Sequence, residues 1–513
     1  MKSNKVTFLK SGNFVVVNPT TAEVEDILRP VLTFKSQRSL HGVDWLVETR
    51  LAEQEERAAR RMQFEEHEQF DYDHRKRIAF PFGLYRKAIT ALKQRGYVVL
   101  MQDLSPPDPK KFTVYWERLK EFKLRWSQDE TILKILSEPC GIIDCPPGYG
   151  KSFIIGVVAK LLPYARIDVV TDSTSVALSR LYPALVTLLP DVGIVGGGKR
   201  KKGARVMVYT VDSYHHAEGD ADILFGDEVH ELCSDSASGK LGKALNSRNY
   251  GFSASVNMRL DQKDPRAEAI FGPVIQKIHY EEAVQNNLVV PIEVRWGSVC
   301  MDFDPCEGLS DVDKKRNGIW CNDYRNDLIA KDAKNIPDSE QRLIVCETIE
   351  HAVNLKARLP DYELVYRQGG LSAVDRAHYI RAGLITSNEP EMTLERRMKL
   401  TQQFEQGKLL KVIANKVWNV GVSFDYLSEL IRADAGGAPI ADTQIPGRLS
   451  RLSENKVRGI LRDYKDEFNK GFRSKARGRR RTYEGYGWIQ IDPKKAKKGT
   501  LRAQMEFEWE QED

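Results

Sequence analysis

Few folds accommodate the octapeptide from Cys145 to Ser152, which reads Cys-Pro-Pro-Gly-Tyr-Gly-Lys-Ser. The short apolar segment 141–144 before it has strand character, and the apolar segment 151–162 after it has the composition of a helix. A glycine-rich turn between a strand and a helix aims backbone N–H groups and the helix N-terminus at one point, where they bind a phosphate group. The sequence therefore predicts a phosphate loop within an α/β domain.

This loop predicts a nucleotide substrate and a divalent cation. The Lys151 ammonium is expected to meet the β- and γ-phosphates of ATP, and the Ser152 hydroxyl to ligate Mg²⁺. The strict pattern has glycine where Cys145 stands, but the two later glycines still provide the tight backbone. A chance Gly-Lys-Ser turn is the alternative interpretation. The nucleotide-binding residues predicted from the loop are Gly148, Tyr149, Gly150, Lys151 and Ser152.

An acidic motif, Asp227-Glu228-Val229-His230, follows the apolar run 223–225. If that run is a parallel strand, its carboxyl end lies at the edge of the sheet that carries the phosphate loop. Asp227 is then expected to hold Mg²⁺ through water, and Glu228 to position and deprotonate the attacking water. A solvated acidic turn is the alternative, which the upstream phosphate loop disfavours.

The domain organisation follows from the alternation of short apolar runs with helix-like stretches, which predicts parallel sheets built from βαβ units. A break at Ser105-Pro106-Pro107-Asp108-Pro109 separates a small α/β domain from two parallel-sheet domains of similar plan. Residues 46–77, rich in Glu, Arg, Gln and Ala, predict a solvated helix or helical pair. The predicted domains are 1–110, 111–293, 294–469 and a C-terminal extension, 470–513.

In sequence order these motifs resemble those of the DExH branch of the superfamily 2 helicases. Further matching segments are Arg125-Trp126-x-Gln128, Ser253-Ala254-Ser255, residues 414–425, and Gln444-Ile445-Pro446-Gly447-Arg448-Leu449-Ser450-Arg451. The last fits that family's pattern Gln-x-x-Gly-Arg-x-x-Arg. The resemblance spans about residues 115–460. It implies two RecA-like domains that use ATP and Mg²⁺ to move on a nucleic acid.

The resemblance also implies roles for individual residues. Gln128 would read the adenine, and Gly421 and Asp425 would contact nucleotide and nucleic acid from the second RecA-like domain. The residues implied to couple hydrolysis to movement are His230, Ser253 and Ser255.

The arginine motif has a physical reason, because phosphoryl transfer spreads negative charge over the γ-phosphate oxygens and a positioned arginine stabilises it. In this family the arginines belong to the second RecA-like domain. We expect Arg451 to be the arginine finger and Arg448, three residues earlier on a helix, to be its γ-phosphate partner. Gln444 opens the motif and is predicted to act with them. A pair of surface arginines is the alternative.

A narrower resemblance concerns residues 269–273 and 289–291, which are similar to the segment that closes the first domain in DNA-repair members of the superfamily. Phage UvsW-type branch-migration helicases also carry a small α/β domain ahead of the motor. This implies an ATP-dependent DNA helicase or translocase that remodels branched or forked DNA in the cytoplasm of a bacterial or phage-infected cell. A duplex-tracking translocase, an RNA helicase, a DNA-packaging ATPase and a non-enzymatic nucleic-acid binder are the alternatives.

The net charge of +6 is unevenly distributed. Residues 470–502 hold twelve Lys and Arg against two acids, and residues 503–513 hold five acids and no base. Aromatic residues interleave the basic stretch, which predicts contacts with phosphates and bases, with a solubilising tail as the alternative. The acidic end would compete with DNA for this stretch or recruit a basic protein partner. The predicted nucleic-acid contacts are Arg473, Lys475, Arg477, Arg479, Arg480 and Arg481.

A second basic run, Lys199-Arg200-Lys201-Lys202, follows three glycines and predicts an exposed loop. Its charges are compatible both with binding to DNA phosphates and with simple solvation. Seven cysteines without a C-x-x-C pattern predict reduced structural thiols rather than disulfides or a zinc site. No apolar run reaches about 18 residues, so we expect no contact with a membrane.

Overall fold

The structure, a computed structural model, describes residues 4–37, 64–68, 70–73, 75–172, 177–217, 221–241, 246–253, 265–367, 369–415, 418, 424–437, 446–453 and 456–492. The chain divides into two compact units. Unit one comprises residues 1–146 and 150–279, and unit two comprises residues 147–149 and 280–513. Each unit contains a largely parallel sheet with connecting helices, which confirms the predicted α/β class.

Unit one begins with a small α/β domain. Its elements in chain order are β1 (Lys5–Ser11), β2 (Phe14–Asn18), α1 (Ala22–Leu32), β3 (Thr33–Gln37), β4 (Phe64–Glu68), β5 (Asp71–Tyr72), β6 (Ile78–Pro81), α2 (Tyr85–Gln94) and β7 (Val98–Asp103). The main sheet has the order β5-β6-β2-β1-β7, in which β1 and β7 are parallel and the other pairs are antiparallel. Alternate residues of β1, β2 and β6 are buried together with the apolar faces of α1 and α2.

The helix predicted for residues 46–77 is wrong in the part that the structure describes. Strands β3 and β4 form an antiparallel pair, and β5 joins the main sheet. Strand pairing supplies the backbone hydrogen bonds there, so tertiary context overrides the helix-forming composition. Residues 46–63, 69 and 74 of that prediction lie outside the described residues.

The rest of unit one is built around an eight-stranded sheet. Its elements are α3 (Gln128–Ser137), β8 (Gly141–Asp144), α4 (Lys151–Leu161), β9 (Ile167–Thr171), α5 (Tyr182–Leu188), β10 (Val192–Gly196), β11 (Lys199–Lys201), β12 (Val206–Thr210), β13 (Ile223–Asp227), α6 (Asp235–Leu241), β14 (Arg248–Ser253), α7 (Pro265–Phe271) and β15 (Val274–Lys277). The order is β11-β10-β12-β9-β13-β14-β8-β15. Every neighbouring pair is parallel except β10 and β11. The carboxyl ends of its parallel strands therefore share one edge.

The small domain packs directly on this larger domain. A Cβ atom at Gly83 would lie 2.0 Å from the Glu268 carbonyl oxygen of α7, so only glycine permits this close approach. Arg86 of α2 forms an ion pair of 2.6 Å with Glu138. Cys140 and Ala269 belong to the same buried cluster as the small domain's core. The two domains of unit one therefore share part of their apolar core.

Unit two contains a seven-stranded sheet. Its elements are α8 (Tyr280–Gln285), β16 (Ile292–Val299), α9 (Asp311–Lys315), α10 (Asp323–Lys334), β17 (Gln341–Val345), α11 (Ile349–Arg358), β18 (Glu363–Val365), α12 (Ala373–Arg381), α13 (Leu394–Glu405), β19 (Lys411–Ala414), β20 (Leu427–Arg432), β21 (Gly459–Asp466), α14 (Lys470–Gly485) and β22 (Ile489–Ile491). The order is β18-β19-β17-β20-β21-β16-β22, and all neighbouring pairs are parallel.

The limits of unit two differ from the sequence-based boundaries at 293/294 and 469/470. The unit begins at Tyr280, whose ring lies 6.3 Å from that of Trp488. Strand β22 pairs with β16, and the buried side chains of α14 belong to the unit's core. Residues 470–492 are therefore part of the folded unit and not an extension, and residues 493–513 lie outside the described part. Among the described residues, no helix has both the length and the apolar character required for a membrane span.

Candidate active site

The phosphate loop connects β8 to α4, as its sequence predicts. Gly148 and Gly150 have φ angles of +89° and +100°, in the left-handed region that favours glycine. A Cβ atom at Gly150 would lie 2.7 Å from Gln128 Nε2, so the segment predicted to read adenine lies against the loop. Tyr149 is fully buried, and Ser152 is partly exposed in the first turn of α4.

Lys151 and Glu228 form the central ion pair of this site. Lys151 Nζ lies 2.6 Å from Glu228 Oε1, and the two side chains are 12% and 36% exposed. Burial alone would lower the pKa of Lys151, but Glu228, together with Cys145 and Asp227, more than compensates and raises it. Burial likewise opposes ionisation of Glu228, yet the Lys151 ammonium keeps its pKa below the ordinary value. Both groups are therefore charged at neutral pH.

The sheet explains why these residues meet. Asp227 ends β13, and the phosphate loop leaves β8, with β14 between them. Two strand spacings are about 10 Å, a gap that side chains from both loops bridge. Glu228 has a φ of +54°, which is uncommon for a residue other than glycine and typical of functional sites. Burial raises the pKa of Asp227, which lies at the carboxyl end of β13.

The predicted coupling residues lie behind the acidic pair. His230 Nδ1 is 2.8 Å from Ser253 Oγ, and both side chains are buried. The Val229 N–H donates to the Phe252 carbonyl oxygen at 3.0 Å, so the acidic motif is also tied to β14 through the backbone. Ser255 lies outside the described residues. The geometry links the two motifs, and the coupling role stays a prediction.

Sequence reasoning missed Arg180. This residue lies in the π-helical turn Ala177–Leu181. Burial raises the pKa of Asp227, Lys151 and Glu228 have the next largest effects on it, and the positive charge of Arg180 lowers it. The charge of Arg180 also lowers the pKa of Glu228, on which burial and Lys151 have larger effects. No motif distinguishes it in the sequence from other helical arginines, so only the fold reveals its place beside the acids.

Unit two holds the arginine motif. Arg448 is buried, donates from Nη1 to the Trp418 carbonyl oxygen at 2.6 Å, and lies 4.8 Å from the Phe424 ring centroid. Arg451 Nη1 is 3.0 Å from Asp425 Oδ1, so the predicted finger and the predicted nucleotide contact form an ion pair. Gly421 and Gln444 lie outside the described residues.

The predicted nucleic-acid contacts on α14 separate into two groups. Lys475, Arg477 and Arg481 are exposed, and Arg473 is partly exposed. Arg479 instead is buried against Asp463, to which it donates two hydrogen bonds of 2.8 and 2.9 Å. This burial contradicts a nucleic-acid contact for Arg479, because its guanidinium is committed to the core. Arg480 is partly exposed and pairs with Asp492 at 2.6 Å.

The site suits a nucleotide bound with Mg²⁺. Gly148 and Gly150 adopt the left-handed backbone of a tight turn, in which successive backbone N–H groups can bind phosphate oxygens. Among the described residues, no cluster of three or more His, Cys, Asp or Glu side chains could hold a metal alone. Mg²⁺ commonly takes one or two protein ligands, with water and substrate phosphates completing its shell. Ser152 and Asp227 fit that pattern.

Two viral proteins named as helicases are similar to this chain in sequence. One, from Sulfolobus islandicus filamentous virus, is 25% identical over 419 residues, covering 74% of this chain and 71% of the relative. Helicase D10 of Escherichia phage T5 is 22% identical over 389 residues, covering 73% of this chain and 79% of the relative. No protein-family model matches the chain.

Solved structures give a likeness in fold. Saccharomyces cerevisiae Dbp5 bound to RNA and ADP BeF3 aligns with 74% of this chain and 94% of its own, with a TM-score of 0.51 and 12% identity. T4 UvsW aligns with 95% of this chain and 99% of its own, with a TM-score of 0.41 and 16% identity. This chain is therefore similar in sequence to viral proteins named as helicases, and its fold is similar to that of Dbp5.

Proposed function

We propose that this protein is an ATP-dependent DNA motor that remodels branched or forked DNA. The observation that carries the proposal is the Lys151–Glu228 pair of 2.6 Å at the carboxyl edge of the unit-one sheet. A phosphate-binding ammonium and an ionised acid at this edge are the two groups that ATP hydrolysis requires.

Each residue of the site has a proposed task. The backbone at Gly148 and Gly150 binds phosphate oxygens, and the Lys151 ammonium exchanges Glu228 for the β- and γ-phosphates. Glu228, once released, orients the attacking water and accepts its proton. Mg²⁺, held by Ser152 and Asp227, would neutralise charge on the phosphates. The further residues that we propose to take part in ATP binding, hydrolysis or its coupling to movement are Gln128, His230, Ser253, Ser255, Gly421, Asp425, Gln444, Arg448 and Arg451.

The DNA substrate is supported by sequence and charge. Residues 269–273 and 289–291 resemble DNA-repair members of the superfamily, and exposed Lys475, Arg477 and Arg481 lie on one basic helix. Basic groups of this kind bind the phosphate backbone without reading its sequence. These basic groups do not account for a preference for branched DNA, which we therefore assign to the motor as a whole.

The test compares ATP turnover with single-stranded, duplex, forked and four-way DNA and with RNA of matching sequence. We expect the greatest stimulation by forked or four-way DNA and strand displacement on the same substrates. Arg451→Ala should lower stimulated turnover by about a thousandfold or more, because an arginine finger contributes on that scale.

Other outcomes decide between the alternatives. Stimulation by RNA alone would replace the proposal with an RNA helicase. Stimulation by plain duplex without strand displacement would indicate a tracking translocase. Glu228→Gln controls for contaminating ATPases, and turnover that survives this substitution would contradict the assigned site.

A further inference from the structure

The basic run 199–202 is not a loop but part of a β-hairpin in unit one. Strands β10 and β11 pair antiparallel, with Gly196 opposite Lys199 and Val195 opposite Arg200. The two glycines between the strands, Gly197 and Gly198, have positive φ angles, which this tight turn requires. Strand β11 is the edge of the eight-stranded sheet, and all three of its side chains are exposed. The hairpin therefore presents its charges from a fixed backbone.

Positive and titratable groups gather beside strand β11 of this hairpin. Arg200 lies on β11, and Lys202 follows directly after the strand ends at Lys201. Lys202 Nζ donates to the His216 carbonyl oxygen at 3.0 Å, and the rings of His215 and His216 lie 3.9 Å apart. Burial lowers the pKa of His216, and the charges of His215, Arg200 and Lys202 lower it further. We call these four residues the hairpin patch.

Two described acids near the patch already have cationic partners. Asp191 lies 3.0 Å from Lys201 Nζ, and Asp212 lies 2.6 Å from Lys240 Nζ. Arg200 forms no ion pair with any residue that the structure describes. Arg200 therefore carries a positive charge that neither Asp191 nor Asp212 neutralises, and an anionic partner would stabilise it.

The position of the patch separates it from the ATP site. The hairpin turn follows the carboxyl end of β10, which is three strands from β13 and five from β8 in the sheet. At the usual strand spacing these are about 14 and about 24 Å. The hairpin turn therefore lies along the same edge as the phosphate loop but beyond the reach of one bound nucleotide, and Arg200 and Lys202 follow along the segment that runs back from this turn.

We propose that the hairpin patch binds the phosphate backbone of a nucleic acid. The inference rests on the proposed function, because a nucleic-acid motor must contact its nucleic acid outside the ATP site. A polyanion of evenly spaced phosphates matches exposed Arg and Lys groups on a rigid edge. DNA and RNA share this chemistry.

The test uses Arg200→Glu/Lys202→Glu and a matched control, Lys331→Glu/Lys334→Glu, on helix α10 of unit two. Both variants change the net charge by the same amount. Binding of fluorescein-labelled single-stranded DNA, duplex DNA and RNA is measured by anisotropy at several salt concentrations. We expect the hairpin variant to weaken binding at least about tenfold and to reduce the salt slope on duplex DNA by about 2, since each lost phosphate contact removes about 0.9.

The control variant should bind like the wild type. Equal affinity and equal salt slope for the hairpin variant and the control would overturn the proposal, as would a wild type that binds none of the three nucleic acids. Weakening on all three supports a shared phosphate contact, and weakening on one of them identifies the track. Arg200→Gln/Lys202→Gln, which removes charge without reversing it, should show a smaller loss in the same direction.

Two readouts keep separate failures apart. Far-ultraviolet circular dichroism and the thermal midpoint establish that the hairpin variants are folded. Failure of the proposed function would appear as absent ATP turnover in the wild type, which the binding measurement does not use.

Discussion

Each unit contains a prominent ion pair, and the two pairs differ mainly in their access to solvent. In unit one, Lys151 and Glu228 are 12% and 36% exposed. In unit two, Arg479 and Asp463 are each 1% exposed. Arg479 donates four hydrogen bonds, two to Asp463 and one each to the carbonyl oxygens of Gly436 and Tyr464.

The difference shows what separates a reactive pair from a structural one. A partly open carboxylate can return to water when a phosphate takes its place, so the Lys151–Glu228 pair can exchange partners. The Arg479–Asp463 pair has no such option, because leaving either charge alone in the core costs several kcal/mol. Under the proposed function, one ion pair thus serves ATP turnover in unit one, and a similar pair serves stability in unit two.

The largest effect is expected for Lys151→Ala. Loss of a group that stabilises transition-state charge should lower ATP turnover by about a thousandfold. Thermal unfolding should change little by comparison, because Glu228 remains in contact with solvent. Phosphate release and differential scanning fluorimetry measure the two quantities. Lys160→Ala, at the partly exposed far end of the same helix, should keep turnover, and an equal loss there would show that the helix rather than the ammonium matters.

Arg479→Ala should act on stability instead. Removing one partner of a buried pair leaves an unpaired charge and typically costs about 3–5 kcal/mol of unfolding free energy. The neighbouring Arg480 provides the control, since it is partly exposed and pairs with Asp492 and Glu484 at the surface. Arg480→Ala should cost less than about 1 kcal/mol. Urea unfolding measures both, and similar costs would contradict the contrast drawn between the pairs.

A smaller effect depends on pH. Burial opposes ionisation of Asp434, but the bidentate Arg432, at 3.0 Å, lowers its pKa from 3.8 to about 2. A lowered pKa contributes stability above the unfolded value, and this contribution disappears as the pH falls from about 4 to 2. At 1.36 kcal/mol per unit it amounts to about 2 kcal/mol. The free-energy difference between wild type and Asp434→Asn should therefore shrink over that range in urea titrations, and a constant difference would contradict the assignment.

Local backbone requirements explain why much of unit one could be predicted. The phosphate loop and the acidic motif are short, contiguous and bounded by apolar strands, so their positions at one sheet edge follow from the parallel topology. The burial of Arg479 could not be predicted in this way. Its partner Asp463 lies 16 residues earlier, and the two meet only because α14 folds back on β21. Arg180 and strand β4 were missed for the same reason, since distant contacts decide their surroundings.

Strand β22 has a practical consequence for shortening this protein. It pairs with β16, the first strand of unit two, so the unit is closed by its own beginning and end. Truncation after residue 469 would remove this edge strand. It would also leave Asp463 without Arg479, the arginine that neutralises it. Truncation after Asp492 leaves that closure intact, and it is the cut that isolates the contribution of the last 21 residues.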